Sequence, residues 1–254
     1  MEFTNWFDDE VAATYDDDAA ELSAPHVLDP QLDLLEELAA GGPVLELAIG
    51  TGRVGLPLAM RGLRVTGIEL SEAMVERLRR KPGGDEGSIP VVIGDMATAQ
   101  APGAGSFALV FLVFNSLMNL TTQDAQVACF RNAAAHLAPG GHFLVEMMVP
   151  ALRRLPAGER FVVFDQRDTH VGIDEYDIAT QGQWSHHIEF LPDGRVRRTS
   201  PPFRYAWPSE LDLMARLAGM RLAHRWGDWD RCAFENESTK HVSVWQTAGD
   251  EPER

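Results

Sequence analysis

The apolar positions of this chain fall into short runs that alternate with amphipathic stretches between residues 41 and 150. The run at 107–114 is continuously apolar, which is typical of a strand buried on both faces of a parallel sheet. Strands that alternate with helices at this spacing predict a doubly wound α/β core. The predicted strands are 43–47, 63–69, 90–93, 107–114 and 142–147, and the predicted helices are 55–61, 71–80 and 122–137.

A different pattern precedes this core. Residues 1–40 mix aromatic and acidic side chains and predict a helical lid over a pocket. Asp29 is a candidate N-cap, with Pro30 at the first helical position of a helix that ends at Gly41. The segment that precedes the core therefore predicts short helices that cover a pocket.

The pattern of apolar and polar residues changes again at residue 151. Residues 151–207 have the alternation of antiparallel strands, with a hairpin turn at Pro192-Asp193-Gly194. Residues 208–247 predict one helix and two strands that complete the core sheet, and residues 248–254 predict a flexible tail. The strands predicted in the insert are 160–169, 176–180, 184–191 and 196–205.

The charge of the chain limits its partners. The formal net charge is −16, and residues 1–40 hold 12 Asp or Glu and no Lys or Arg. Such a surface repels phosphate backbones and anionic lipids, so neither nucleic acid nor a membrane is expected as a partner. No apolar run approaches the ~20 residues of a membrane span, and the acidic start does not resemble a secretory signal.

Cysteine and histidine spacing gives no metal site. Cys129 and Cys232 have neither metal-ligand nor redox spacing, and His136 and His142 lack companion acids at ligand spacing. We therefore expect no bound metal. Two unpaired cysteines are typical of a reduced compartment, so we expect a cytoplasmic protein.

The most informative motif follows the first strand of the core. A Gly-rich turn contains Gly50 and Gly52, and the second strand ends at Glu69, 17 residues after Gly52. This spacing predicts a nucleoside cofactor whose ribose lies beside the acid. Ala48 and Arg53 replace two glycines of the dinucleotide fingerprint, and a large Arg53 side chain crowds a pyrophosphate. S-adenosylmethionine (SAM) has no phosphate, so the motif favours SAM over NAD, with the glycines keeping any Cβ away from the ligand.

The same residues resemble class I SAM-dependent methyltransferases. That family usually has glycine where Ala48 stands. The matching segments span about residues 40–150 and are Glu46–Arg53 (ELAIGTGR), Gly67–Ser71 (GIELS), Gly94–Met96 (GDM) and Leu137–Gly141 (LAPGG). The resemblance implies a doubly wound, Rossmann-like seven-stranded sheet with an antiparallel β insert after strand five.

The resemblance also implies a role for individual residues. Glu46 would hold the methionine amino end, Glu69 would accept hydrogen bonds from the ribose hydroxyls, and Asp95 would meet the adenine amino group. Tyr15 would cover the methionine end of the cofactor. The implied cofactor-binding set is Tyr15, Glu46, Ala48, Gly50, Gly52, Arg53, Glu69, Leu70, Met74, Asp95, Met96, Val113 and Phe114.

With Tyr15-Asp16 near the start and a β insert, the chain resembles bacterial aminosugar N,N-dimethyltransferases, and glycine N-methyltransferase relatives share the layout. This implies methyl transfer from SAM to an N or O atom of a small metabolite in bacterial secondary metabolism, with S-adenosylhomocysteine as the product. The sequence identifies no catalytic residue; the candidates are Tyr15, Asn115 and His241. We expect the insert to cover the acceptor site or to pair subunits in a homodimer.

Two other functions remain open at the level of the sequence. One is an NAD-dependent oxidoreductase or epimerase, which Ala48 and Arg53 disfavour. The other is a non-catalytic SAM-binding protein, which the aromatic segment before the core disfavours because it suits a closable site. The Asp/Asn-Pro-Pro-aromatic motif of DNA-adenine and glutamine methyltransferases is absent after strand four, where residues 114–117 read FNSL.

Overall fold

The computed structural model describes residues 6–248, which form two β-sheets and six α-helices. The strands are β1 (Val44–Leu47), β2 (Val65–Glu69), β3 (Val91–Ile93), β4 (Phe107–Leu112), β5 (Leu137–Met148), β6 (Phe161–Arg167), β7 (His170–Asp177), β8 (Gly182–Phe190), β9 (Val196–Thr199), β10 (Pro202–Arg204), β11 (Met220–Trp226) and β12 (Lys240–Thr247). The helices are α1 (Asp9–Asp18), α2 (Pro25–Ala39), α3 (Gly55–Met60), α4 (Glu72–Arg79), α5 (Gln123–His136) and α6 (Pro208–Leu217).

The larger sheet has the strand order β11-β12-β5-β4-β1-β2-β3. Its first five strands in the chain are parallel, and β11 and β12 add an antiparallel edge. Residues of α5 and α6 belong to the apolar cluster on one face, and residues of α2 and α3 belong to the cluster on the other. The predicted doubly wound α/β fold with seven strands is confirmed.

Helix α2 begins earlier than the sequence predicts. Its first residue is Pro25, which needs no hydrogen-bond acceptor for its nitrogen, and Pro30 lies inside the helix. The predicted start at Asp29 is therefore wrong. Leu28 is buried on the same helix face as Leu32, so the extra turn adds apolar contact with the core.

Strand β5 also differs from the prediction, in which Pro139-Gly140-Gly141 separates helix from strand. The strand begins at Leu137, which pairs with Phe107 of β4, and it continues through the Pro-Gly-Gly segment. Side chains of β12 hold this segment: Gln246 Nε2 donates to the Gly140 carbonyl at 2.9 Å. A tertiary partner thus overrides the local turn signal.

The smaller sheet is the insert that follows β5. Its path is β10-β8-β7-β6, and β9 also pairs with β8. The predicted strand 196–205 is split into β9 and β10 because Pro201 and Pro202 cannot donate to a continuous ladder. The predicted strand 176–180 is largely wrong: it overlaps β7 only at Tyr176 and Asp177, because β7 begins at His170 and a turn follows Asp177. The hairpin turn around Gly194 is confirmed, with φ +83° at that residue.

The ends of the chain are described only in part. Residues 6–40 contain α1, a 3-10 turn at Ala20–Ser23 and α2. Of the predicted tail 248–254, residues 249–254 lie outside the described residues. Within residues 6–248, no helix has the length and apolar character needed to traverse a bilayer.

Candidate active site

A cavity of about 320 Å³, counted with its open mouth, lies where β1 and β4 end at the carboxyl edge of the large sheet. Ligands of open α/β sheets bind at this edge. Seven residues of the predicted cofactor-binding set line it: Tyr15, Glu46, Ala48, Gly50, Arg53, Val113 and Phe114. Ile49, Thr51, Val54 and Ser116 complete the lining and are absent from the prediction.

Glu46 is the buried acid of the cavity wall. Its Oε2 is buried without a hydrogen-bond partner among the described residues. Burial raises the pKa of Glu46 to about 8, although Arg53 opposes the shift electrostatically. A Cβ at Gly55 would lie 2.5 Å from Oε2, so glycine is needed there to make room for the carboxyl group.

Arg53 stands on the same wall as a fixed cation. Its guanidinium donates to the Leu22 carbonyl at 3.3 Å and to Gln31 Oε1 at 3.4 Å. It also lies 5.6 Å from the centroid of the Phe114 ring, a cation–π distance. The cavity therefore combines one positive group with one unpartnered carboxyl oxygen.

The backbone of the Gly-rich turn is in the left-handed region at three positions, one of which, Ala48, carries a side chain. Ala48, Gly50 and Gly52 have φ values of +56°, +57° and +80°. A Cβ on Gly52 would collide with the buried Leu78 side chain of α4. The sequence predicts that both glycines make room for the ligand, whereas Gly52 is also required by the packing of the turn against α4.

Glu69 ties this turn to the end of β2. Its Oε2 accepts from the Gly50 N–H at 2.8 Å, and its Oε1 accepts from the Ser71 N–H at 2.9 Å. Burial raises the pKa of Glu69. Because the Gly94 N–H donates to the Glu69 carbonyl, the loop that carries Asp95 begins beside it.

The other predicted cofactor residues lie near this edge without lining the cavity. Met74, on α4, is the nearest neighbour of a Cβ built on Gly50, and Leu70 directly follows Glu69. Met96 follows Asp95 and packs in the apolar cluster under the sheet. The structure therefore brings these residues to the strand ends β2 and β3, beside the turn.

Helix α1 covers the turn and is fixed to it by an acid. Asp16 Oδ1 accepts from Thr51 Oγ1 at 2.6 Å and from Lys81 Nζ at 2.8 Å, while Lys81 also donates to the Thr51 carbonyl at 2.7 Å. Tyr15, the preceding residue, turns into the cavity, and burial raises the pKa of its phenol. Its hydroxyl therefore stays protonated at neutral pH.

The loop after β4 holds two consecutive residues in the left-handed region. Phe114 has φ +57° and Asn115 has φ +60°. The Phe114 N–H donates to Glu146 Oε2 at 2.6 Å, and Asn115 Oδ1 accepts from the Met148 N–H at 2.6 Å. Glu146 is not among the predicted site residues; its signal in the sequence is an acid near the carboxyl end of an apolar core strand.

The three catalytic candidates are not brought together. Tyr15 lines the cavity, but the Asn115 side chain is engaged by the backbone of β5. His241 lies in β12, fully buried, with Nδ1 2.8 Å from Ser243 Oγ. Burial lowers the pKa of His241 to about 3, so it stays neutral.

The insert sheet has two unlike faces. Its inner face carries Asp174 and His187, and its outer face carries Phe161 and Val163. At one end of the inner face, Tyr176 packs in the same apolar cluster as the end of β5. At the other end, Arg197 on β9 pairs with Glu189 and with Glu10 of α1, each at 2.6 Å. The inner face is thus tied both to the carboxyl edge of the large sheet and to α1.

Among residues 6–248, no group of three or more His, Cys, Asp or Glu is placed to hold a metal ion.

Comparison with known proteins places this geometry in a family. A family model described as a methyltransferase domain matches residues 44–141. The solved structure of the CcbJ methyltransferase from Streptomyces caelestis is 36% identical, covers 98% of this chain and 100% of its own, and superposes with a TM-score of 0.85. The cypemycin N-terminal methyltransferase of a Streptomyces species is 28% identical over 190 residues, 72% of this chain and 74% of that protein.

A third relative shows the same fold at lower identity. The SAM-bound structure of CalS10, an amino pentose methyltransferase from Micromonospora echinaspora, is 20% identical, with coverage of 96% of this chain and 99% of that chain and a TM-score of 0.62. The match to CcbJ over its whole length decides the assignment. The chain belongs to the SAM-dependent methyltransferase family.

Proposed function

We propose that this methyltransferase transfers the methyl group of SAM to a nitrogen atom of a small secondary metabolite. Two relatives support nitrogen: one is named for an N-terminus and the other for an amino pentose. The observation that supports the proposal is the wall of the cavity, where the Glu46 carboxyl group and the Arg53 guanidinium suit the ammonium and carboxylate groups at the methionine end of SAM. A charge of −16 favours a small cationic acceptor over nucleic acid.

The methionine end of SAM fits this wall. Glu46 Oε2 lacks a partner, and the ammonium group of SAM supplies a donor for it. The Arg53 guanidinium would pair with the carboxylate of the same ligand. Ala48 and Gly50 offer a backbone surface without long side chains, and Val113 and Phe114 close the opposite side.

We assign the nucleoside end of SAM to the neighbouring strand ends. Glu69 would bind the ribose hydroxyls with the lone pairs that the Gly50 and Ser71 amides leave free. Asp95 would meet the adenine amino group, with Leu70 and Met74 against the ring. These roles are the ones that the family resemblance implies, and the residues lie together near the ends of β2 and β3.

Bound SAM supplies a methyl group on a sulfonium, and the task of this chain is to orient the acceptor and exclude water. Orientation can contribute ~7–11 kcal/mol to such a reaction. Tyr15 on α1 and Phe114 close the cavity toward solvent and narrow the approach of the acceptor. The ionisable side chains among the described lining residues are Tyr15, Glu46 and Arg53. We assign Glu46 and Arg53 to the methionine end of SAM, which occupies them, and an amine acceptor needs no strong base.

We further propose that the outer face of the insert pairs with a second copy of the chain. Four large apolar side chains on this face are 45–59% exposed: Phe161, Val163, Phe190 and Val196. Exposed apolar patches of this kind mark interaction sites. Val163→Asp should shift the protein from dimer to monomer in light scattering, while Met60→Asp, at a 76% exposed position on α3, should not. A monomeric parent protein would contradict the pairing.

Two measurements test the proposed activity. SAM and S-adenosylhomocysteine should raise the melting temperature and NAD should not, because a ligand that binds only the folded state stabilises it. Incubation with labelled SAM should then add label to amines and not to the matching alcohols. Stabilisation by NAD alone would refute the cofactor assignment, and label on alcohols alone would refute nitrogen.

A further inference from the structure

Two consecutive residues at the mouth of the cavity have a backbone conformation that side chains disfavour. Phe114 has φ +57° and Asn115 has φ +60°. Such backbone persists only where surrounding contacts hold it, and it is concentrated at functional sites. The Phe114 side chain lines the cavity but is 43% exposed, so core packing does not fix its direction. The contacts of the backbone therefore decide where the ring lies.

Three hydrogen bonds join this backbone to the end of β5. The Glu146 carboxylate accepts from the Phe114 N–H at 2.6 Å, and the Glu146 carbonyl accepts from the Asn115 N–H at 3.3 Å. Asn115 Oδ1 accepts from the Met148 N–H at 2.6 Å. The Phe114 amide is thus held by a side chain, which a substitution can remove without breaking the ladder between β4 and β5.

Glu146 lies on the face of the large sheet that α2 covers. Leu144, two residues earlier on β5, belongs to the apolar cluster that contains residues of α2, and side chains two apart on a strand share a face. Arg53 reaches the same face, because its guanidinium bonds Gln31 of α2. The Glu146 carboxylate therefore holds the loop after β4 on the side where Arg53 stands.

The charges around Glu146 suit a carboxylate that accepts a hydrogen bond. Burial raises the pKa of Glu146, whereas the Phe114 amide, Lys240 and Arg53 favour its charged form. Lys240 is itself paired with Asp228 at 2.7 Å. A bond from an amide to a charged carboxylate belongs to the stronger class of hydrogen bonds.

We propose that Glu146 is a positioning residue of the cofactor site, which holds the Phe114 amide so that the Phe114 ring lies beside the Arg53 guanidinium and closes the cavity over the methionine end of SAM. The ring centroid is 5.6 Å from the guanidinium carbon. The inference rests on the proposed cofactor site and deepens it, since Glu146 does not line the cavity and acts through Phe114. Without the carboxylate, the loop would relax and the ring would leave the mouth.

The first test measures how fast S-adenosylhomocysteine leaves the full chain in a stopped-flow competition experiment. Glu146→Ala should raise the dissociation rate about tenfold, because a lost contact changes dissociation more than association. Glu146→Gln keeps an oxygen that can accept from the Phe114 N–H, so its rate should stay within about threefold of the parent rate. An unchanged rate in Glu146→Ala would overturn the proposal.

A double-mutant cycle tests whether Glu146 acts through Phe114. Phe114→Ala should also raise the dissociation rate, and the addition of Glu146→Ala to that variant should change it by less than about twofold. If the two single effects multiply in the double variant, Glu146 acts independently of Phe114 and the proposal is wrong.

Asp212→Ala separates positioning from stability. Asp212 on α6 accepts from Arg225 and from the Trp245 indole, and none of the three lines the cavity. Its removal should lower the melting temperature and leave the dissociation rate at the parent value. A rate that rises in Asp212→Ala as it does in Glu146→Ala would reduce the role of Glu146 to general stability.

Hydrogen exchange gives a readout that does not need a folded Glu146→Ala. In the parent, the Phe114 amide should be protected from exchange, because it donates to a half-buried carboxylate. Its NMR signal should shift in Glu146→Gln, where the charge of the acceptor is lost. A rapidly exchanging Phe114 amide in the parent, or an unshifted signal in Glu146→Gln, would contradict the proposal.

Failure of this role is distinguishable from failure of the proposed function. A parent chain that binds no S-adenosylhomocysteine would refute both the cofactor site and the role of Glu146. A chain that binds it with a dissociation rate indifferent to Glu146→Ala would keep the cofactor site and lose this role alone.

Discussion

The two sheets of this protein bury opposite kinds of surface. In the large sheet, β1 and β4 are buried on both faces, and their side chains are apolar except for Glu46, the third residue of β1. In the insert, the inner face is polar and shielded around Asp174, while large apolar side chains such as Phe161 stay exposed outside. The large sheet therefore holds most of the apolar core and presents the proposed cofactor site at its carboxyl edge, whereas the insert leaves apolar side chains on its outer face.

The largest expected effect is the loss of stability when Gly52, in the core, is replaced by alanine, compared with the same replacement of Gly194, in a turn of the insert. Gly52→Ala strains a residue at φ +80° and drives a Cβ into the buried Leu78 side chain. We therefore expect the free energy of unfolding to fall by ~3 kcal/mol and SAM binding to be lost. Gly194→Ala has φ +83° but open space, and should lose ~1 kcal/mol and keep SAM binding. Denaturant titration and calorimetry give both values; equal losses would contradict the contrast.

Removal of Glu69, the acid at the end of β2, should weaken the binding of SAM. Glu69→Ala leaves the Gly50 and Ser71 amides without their acceptor and removes the proposed ribose ligand, so SAM affinity should fall about 100-fold. Glu72→Ala, on the exposed side of α4, is the control and should bind as the parent does. Titration calorimetry measures both, and undiminished affinity of Glu69→Ala would remove the ribose assignment.

The buried carboxyl of the cavity predicts a pH dependence. Glu46 has a pKa of about 8 when folded and an ordinary value of 4.5, so the folded protein holds a proton that the unfolded chain releases. The free energy of unfolding should therefore fall as the pH rises from about 5 to 8, by at most ~1.4 kcal/mol per pH unit. Glu46→Gln should remove this part of the slope, and parallel curves for parent and variant would show that Glu46 is already ionised.

The smallest expected effect concerns the lid. Asp16→Asn weakens the contacts of α1 with Thr51 and Lys81, and we expect SAM affinity to fall about threefold to tenfold, with faster hydrogen exchange in α1. Asp17→Asn, exposed on the same helix, serves as the control. Unchanged exchange in α1 would mean that other contacts hold the lid.

The sequence predicts the large sheet better than the insert for a physical reason. The core strands are short apolar runs, and the Gly50–Gly52 turn and Glu69 directly follow two of them. The local sequence pattern therefore predicts both the strands and the edge of the sheet where the site lies. The error at Pro139-Gly140-Gly141 arises because the partner that holds this segment, Gln246, lies more than 100 residues away.

The sequence does not predict the contacts among Asp165, His170 and His187 on the inner face of the insert. His170, Asp165 and His187 meet only through strand register, and a register shift between Val163 and Asp165 places that acid near His170. No local spacing encodes such a shift. Glu146 was missed for a related reason, because its partner is a backbone amide of a neighbouring strand's loop.

A crystal structure with S-adenosylhomocysteine tests the central claim most directly. We expect the ligand's amino group within hydrogen-bond distance of Glu46 and its ribose hydroxyls within hydrogen-bond distance of Glu69. A fully occupied ligand elsewhere on the molecule, or no ligand beside residues 46–53 at saturating concentration, would contradict the account.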